Sequence, residues 1–125
     1  MSANPKGLQL GQNVVIEEGV TLGENVSIGH NTVLLKGTVI GDNVKIGCNC
    51  VLGVKPGGNR RMRKENEAVE KLTIGNDTTI GNLVSIYSGT SIAENCFIGD
   101  HASIRENVSI GEETVVGRAS IVELN

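Results

Sequence analysis

Counted in sixes from Leu10, the first place of every hexad is aliphatic. The series runs Leu10, Ile16, Leu22, Ile28, Leu34, Ile40, Ile46 and Leu52. After one interruption it resumes as Ile74, Ile80, Ile86, Ile92, Ile98, Ile104, Ile110, Val116 and Val122. The fifth place is small or β-branched: Val14, Val20, Val26, Thr32, Thr38, Val44 and Cys50, then Thr78, Val84, Thr90, Cys96, Ala102, Val108, Thr114 and Ser120. An amphipathic helix needs a 3.6-residue period, which a strict six cannot supply. The β-branched bias instead fits short extended segments that turn a large and a small side chain inward.

Turn chemistry fills the places between. Gly follows the aliphatic residue in eleven hexads, and the fourth place is Asn, Asp or Gly in eleven of the fifteen complete ones. These residues adopt positive φ at little cost, so each hexad reads as one strand and one corner. A longer period overlies the six. Apart from the hexad at Ile92, the hexads that lack Gly at the second place start at Ile16, Leu34, Ile86, Ile104 and Val122, and their spacings are 18, 52, 18 and 18. The value 52 is 36 plus 16, so the interruption adds sixteen residues without changing phase. Three hexads then make one triangular coil, and the chain is expected to be all-β, a parallel β-helix of just under six coils. At about 4.8 Å per coil, the prism stands on the order of 25 Å tall.

Composition excludes much else. A chain of 125 residues has room for one domain. We divide it into a lead-in over 1–9 and a β-helix over 10–125, interrupted by a loop at 54–73. A formal charge of −3 argues against a nucleic-acid surface or a polybasic membrane surface. One Phe, one Tyr and no Trp leave no stacked-aromatic RNA platform. No apolar run is long enough to span a bilayer. Three Cys without framework spacing point to a reducing compartment, hence a cytoplasmic location.

The repeat [LIV]-G-x-N-[VTSAC]-x resembles the bacterial hexapeptide-repeat acyltransferase family, and the likeness covers Leu10 to Asn125 apart from the insertion. The resemblance implies a left-handed coil, a hand that periodicity alone does not supply. It also implies a homotrimer with active sites in the clefts between prisms. No bound cofactor or metal is implied; the co-substrate is acetyl-CoA or another acyl-CoA. The implied partners are that acyl donor and a sugar acceptor, nucleotide-linked or phosphorylated, with a His as general base.

Two histidines are available. His30 is third in its hexad and is expected to point outward. His101 takes a corner place, where His also fits structurally because it tolerates positive φ. Both fall on one corner three coils apart, about 14 Å, which is too far for a dyad. Within the interruption, Arg60, Arg61, Arg63 and Lys64 precede Glu65, Glu67 and Glu70, giving the segment a net +3 against −6 for the remainder. Arg forks match phosphate oxygens, so this cluster is the candidate phosphate binder; the alternative is a solvated loop whose charges pair internally.

The stretch from Ile98 to Asn107 resembles a segment in the N-terminal part of longer, sugar-modifying members. There a basic loop precedes it and more β-helix follows, so the chain is expected to be a fragment or to be covered by another chain at its open end. Cys50 and Cys96 fill small inward places and Cys48 points elsewhere, which makes no metal site. A three-His zinc pattern is absent. The alternative to an enzyme is a non-catalytic scaffold that assembles through its uncapped end. Mixed outward Glu, Asn, Lys and Ser exclude an ice-binding face, and the length excludes a nucleotidyltransferase domain.

Overall fold

The computed structural model describes residues 5–57 and 70–123. Every hexad becomes a strand that contains its first-place aliphatic residue, and all but β8 and β11 end on it. The first eight are β1 (Gln9–Leu10), β2 (Val15–Ile16), β3 (Thr21–Leu22), β4 (Ser27–Ile28), β5 (Val33–Leu34), β6 (Val39–Ile40), β7 (Lys45–Ile46) and β8 (Val51–Val54). The next five are β9 (Thr73–Ile74), β10 (Thr79–Ile80), β11 (Ser85–Tyr87), β12 (Ser91–Ile92) and β13 (Phe97–Ile98). The last four are β14 (Ser103–Ile104), β15 (Ser109–Ile110), β16 (Val115–Val116) and β17 (Ile121–Val122).

Every third strand joins the same sheet. The first sheet is β1-β4-β7-β10-β13-β16, the second β2-β5-β8-β11-β14-β17 and the third β3-β6-β9-β12-β15. All pairings are parallel, and aliphatic residue meets aliphatic residue: Leu10 with Ile28, Ile28 with Ile46, Ile80 with Ile98. Across the insertion Ile46 pairs with Ile80, so the excursion leaves the lattice in phase. Gly53 bulges β8 at a φ of +93, and Tyr87 pairs with Val54 there. The chain re-enters with Leu72, which is 1% exposed and fills an inward place that the six-residue count skipped.

First-place and fifth-place residues form the core, as their chemistry requires. Ile28, Leu34, Leu52, Ile86, Ile98 and Ile104 are buried, as are Val26, Val44, Val84 and Ala102. Burying each large aliphatic contributes roughly 1.5–3 kcal/mol. Inward Thr and Cys side chains meet the backbone's needs: Thr32 Oγ1 donates to the Gly47 carbonyl at 2.7 Å and accepts the Cys50 N–H at 3.2 Å. The Cys50 and Cys96 thiols donate to the carbonyls of Gly81 and Gly111, each at 3.1 Å.

The corners close on positive φ at all fifteen complete hexads, and not only at those with Asn, Asp or Gly. Leu83, His101, Glu113 and Ala119 adopt φ of 59, 64, 60 and 58. The lattice therefore overrides residue preference at Leu83, Glu113 and Ala119, whereas His101 tolerates the conformation. Second-place glycines answer a separate demand: a Cβ on Gly29 would lie 2.7 Å from the Gly47 carbonyl carbon.

Candidate functional site

The first corner, between the first and second sheets, carries both histidines. Two outward columns run along it. The third-place column is Gln12, His30, Cys48, Asn82, Asp100 and Arg118; the fourth-place column is Asn13, Asn31, Asn49, Leu83, His101 and Ala119.

The third-place column is a capping ladder that the six-residue count did not reveal. Gln12 N–H donates to His30 Nδ1 at 2.7 Å, Cys48 N–H to Asn82 Oδ1 at 2.8 Å, and Asn82 N–H to Asp100 Oδ1 at 2.8 Å. The third corner repeats the device, with Glu24 N–H donating to Asp42 Oδ1 and Asp42 N–H to Asn76 Oδ1. His30 Nδ1 is thus an occupied acceptor, and the ring proton of the neutral imidazole belongs on Nε2. The ladder stops at Arg118, whose guanidinium offers no acceptor.

His101 is exposed, and its backbone N–H donates to the Asn82 carbonyl at 2.9 Å. Its imidazole makes none of the ladder's bonds, because the capping place in its hexad belongs to Asp100. His30 and His101 follow β4 and β13, with β7 and β10 between them in the sheet, so three coil steps of about 4.8 Å keep them apart.

The insertion belongs to a different edge. It leaves after β8 of the second sheet and returns ahead of β9 of the third, at the second corner. Arg60, Arg61, Arg63 and Lys64 lie outside the described residues. At this edge a recess of about 360 Å³ is lined by Glu17, Leu35, Lys36, Gly53 and Lys55. Lys36 and Lys55 are two cations at this recess that belong to no charge run in the sequence. Farther along, the Arg105 guanidinium lies 4.2 Å from the Tyr87 ring centroid and 3.0 Å from Glu106 Oε1. The hydrogen bond that Arg105 Nε donates to Glu106 Oε1 holds the Arg105 pKa above its ordinary value.

Cys50 is a buried thiol whose pKa burial pushes up, away from the thiolate that a nucleophile or metal ligand needs. Among the described residues there is no group of three or more His, Cys, Asp or Glu placed to hold a metal ion. Nor is any helix of the described residues long and apolar enough to cross a membrane.

Residues 19–53 and 71–106 match the bacterial transferase hexapeptide (six repeats) family. The chain belongs to that family. No curated protein sequence matches it. Among solved structures it is similar to the acetyltransferase domain of PglB from Neisseria gonorrhoeae, with a TM-score of 0.73 and 17% identity over 88% of this chain and 46% of that one. It is also similar to PerB from Caulobacter crescentus, solved with CoA and GDP-perosamine, with a TM-score of 0.52 and 20% identity over 91% of this chain and 49% of that one. A hexapeptide-repeat acetyltransferase from Vibrio cholerae aligns with a TM-score of 0.53 and 22% identity over 93% of this chain and 68% of that one. The chain thus spans about half the length of the first two.

Proposed function

We propose that this hexapeptide-family chain serves a CoA-dependent acyltransferase, with His101 as general base. The acceptor is an amine or hydroxyl of a nucleotide-linked or phosphorylated sugar. The observation that carries the reading is the exposed imidazole of His101, held on a rigid corner inside the matched segment 71–106. His30 is the weaker candidate, because the lone pair that would take a proton already accepts the Gln12 N–H. The acyl-CoA donor and sugar-nucleotide acceptor are supported by the PglB domain solved with acetyl coenzyme A and by PerB solved with CoA and GDP-perosamine.

In this mechanism His101 takes the proton from the acceptor N–H or O–H as that atom attacks the thioester carbonyl carbon. The C–S bond then breaks, and the departing sulfur recovers the proton from the imidazolium. The products are the acylated sugar and free CoA thiol, and the base is neutral again. General-base assistance of this kind contributes about 10²–10⁴-fold.

The histidines and the insertion stand on different edges of one prism. A homotrimer with sites in its clefts, the arrangement the family resemblance implies, would set one subunit's His101 edge beside a neighbouring prism. Acyl-CoA use and the free thiols favour a cytoplasmic setting.

The test is turnover of acetyl-CoA with a panel of nucleotide-linked amino sugars, read as released thiol, for the wild type and His101→Asn. Asn suits the positive φ, so the variant isolates the chemistry from the fold. A loss of 10²-fold or more with unchanged melting temperature supports the assignment. Full turnover in His101→Asn removes it.

A second reading, a scaffold that assembles through its end, is favoured by Leu10 and Ile16, which are 49% and 36% exposed in the first coil. Concentration-dependent end-to-end dimers or filaments, without acetyl-CoA binding, would support it.

A further inference from the structure

Leu83 is in the wrong place for a leucine. It is 47% exposed, adopts a φ of 59 and lies outside the core cluster. Earlier in the same column the equivalent places hold Asn13, Asn31 and Asn49, residues that accept both the conformation and the solvent. The fold gains nothing from the exchange, since the neighbouring Asn82 already caps the ladder at that coil. A residue ill-suited to both its backbone and its surroundings points to a role outside the fold.

Its position indicates which role. Leu83 precedes His101 by eighteen residues and so stands one coil below it on the same edge, about 4.8 Å away. Ala119 stands one coil above. On the adjoining face of the first sheet, the register partners Phe97 and Val115 are 46% and 71% exposed. The earlier strands of that face present Gln9, Ser27, Lys45 and Thr79 instead. The outward face of this sheet turns apolar at the coil of His101 and the one after it.

Resting on the reading of His101 as base, we infer that Leu83 contacts the acyl chain of the thioester donor and sets its preferred length. The base lies within hydrogen-bond reach of the attacking atom, which is about to bond to the acyl carbonyl carbon. The next carbons of the acyl chain then lie roughly one coil step from the imidazole. A sugar acceptor is polar and suits the Asn82, Asp100 and Arg118 column beside them. The acyl chain is the apolar part of the reactants nearest the reacting carbon.

The experiment compares Leu83→Asn and Leu83→Gly with wild type, using acetyl-, propionyl- and butyryl-CoA and one accepted sugar. Both variants suit positive φ, so their melting temperatures are expected to equal or exceed that of the wild type. Their butyryl-to-acetyl ratio of kcat/KM is expected to shift by about ten-fold, the range that one or two methylenes command in an apolar contact. An unchanged ratio overturns the inference. So does a higher acceptor KM at constant ratio, which assigns Leu83 to the sugar, or a fall in oligomer mass, which assigns it to a subunit interface. A loss of melting temperature in both variants would make Leu83 structural and overturn it as well. An active His101→Asn removes the base, whereas an inactive His101→Asn with an unchanged Leu83 ratio removes only the present inference.

Discussion

Thr90 Oγ1 accepts the Val108 N–H at 3.2 Å and donates to the Arg105 carbonyl, tying two successive coils together from inside the prism. Thr90→Val keeps the shape and leaves both backbone groups without this partner. Unsatisfied buried groups cost about 1–3 kcal/mol each, so chemical denaturation should show a loss of that order. Thr90→Ser, which keeps the hydroxyl, should lose less. Equal losses in the two variants would make the methyl group, rather than the bonds, responsible.

Two glycines should respond oppositely to alanine. A Cβ on Gly29 would stand 2.7 Å from the Gly47 carbonyl carbon and 2.8 Å from its oxygen, and that backbone cannot yield without shifting a coil. Gly111 has nothing within 4 Å of the same position and no positive φ. Gly29→Ala should therefore destabilise by more than about 2 kcal/mol. Gly111→Ala should be neutral or stabilise by about 0.4–1 kcal/mol, through the unfolded chain. Thermal unfolding of the pair checks both signs.

The thiols divide by depth. Cys48 is half-buried on the outer ladder, whereas Cys50 and Cys96 are buried. A thiol reagent under native conditions should modify Cys48 first and reach the other two only on unfolding. Because burial raises the Cys50 pKa above the ordinary thiol value, the folded state holds that proton more tightly than the unfolded one. Stability is then fully present below about pH 9 and falls as pH rises beyond it. Cys50→Val should remove that component of the alkaline decline, measured as melting temperature between pH 7 and 10.5.

The two histidines are predicted to differ in kind. His30→Asn retains an acceptor for the Gln12 N–H, as Asn82 does for Cys48, and should keep wild-type stability. His30→Ala removes the acceptor and should cost about 0.5–1.5 kcal/mol. Turnover should follow His101, so a His30→Asn protein as inactive as His101→Asn would transfer the base role to His30.

The strands and the core were legible because period six places an aliphatic residue at the end of each strand and a small residue at the inward corner. Leu72 escaped because the insertion hides its place in the count. The three unfavourable corner residues, Leu83, Glu113 and Ala119, were legible as positions but not as conformations, since parallel pairing on both sides, not residue preference, holds Leu83 and Ala119 at positive φ. The capping ladder had a weak sequence signal: His30, Asn82 and Asp100 share a place eighteen residues from their partners, but an acceptor there reads equally as a surface polar residue. Leu83 had a better one, a large apolar residue where the repeat asks for Asn. The relation between the insertion and the histidines needed the sheet order, because only that order assigns each corner to an edge.

Val54 and Lys71 flank a single corner, and between them the chain departs and returns on the same coil. Residues added or removed there move no strand, because Ile46 pairs with Ile80 across the excursion, whereas one extra residue within a strand would turn the aliphatic residue after it away from the axis. Length is thus free at this corner and fixed within the strands. Descendants of this sequence can rewrite that stretch while every strand keeps its place in the lattice.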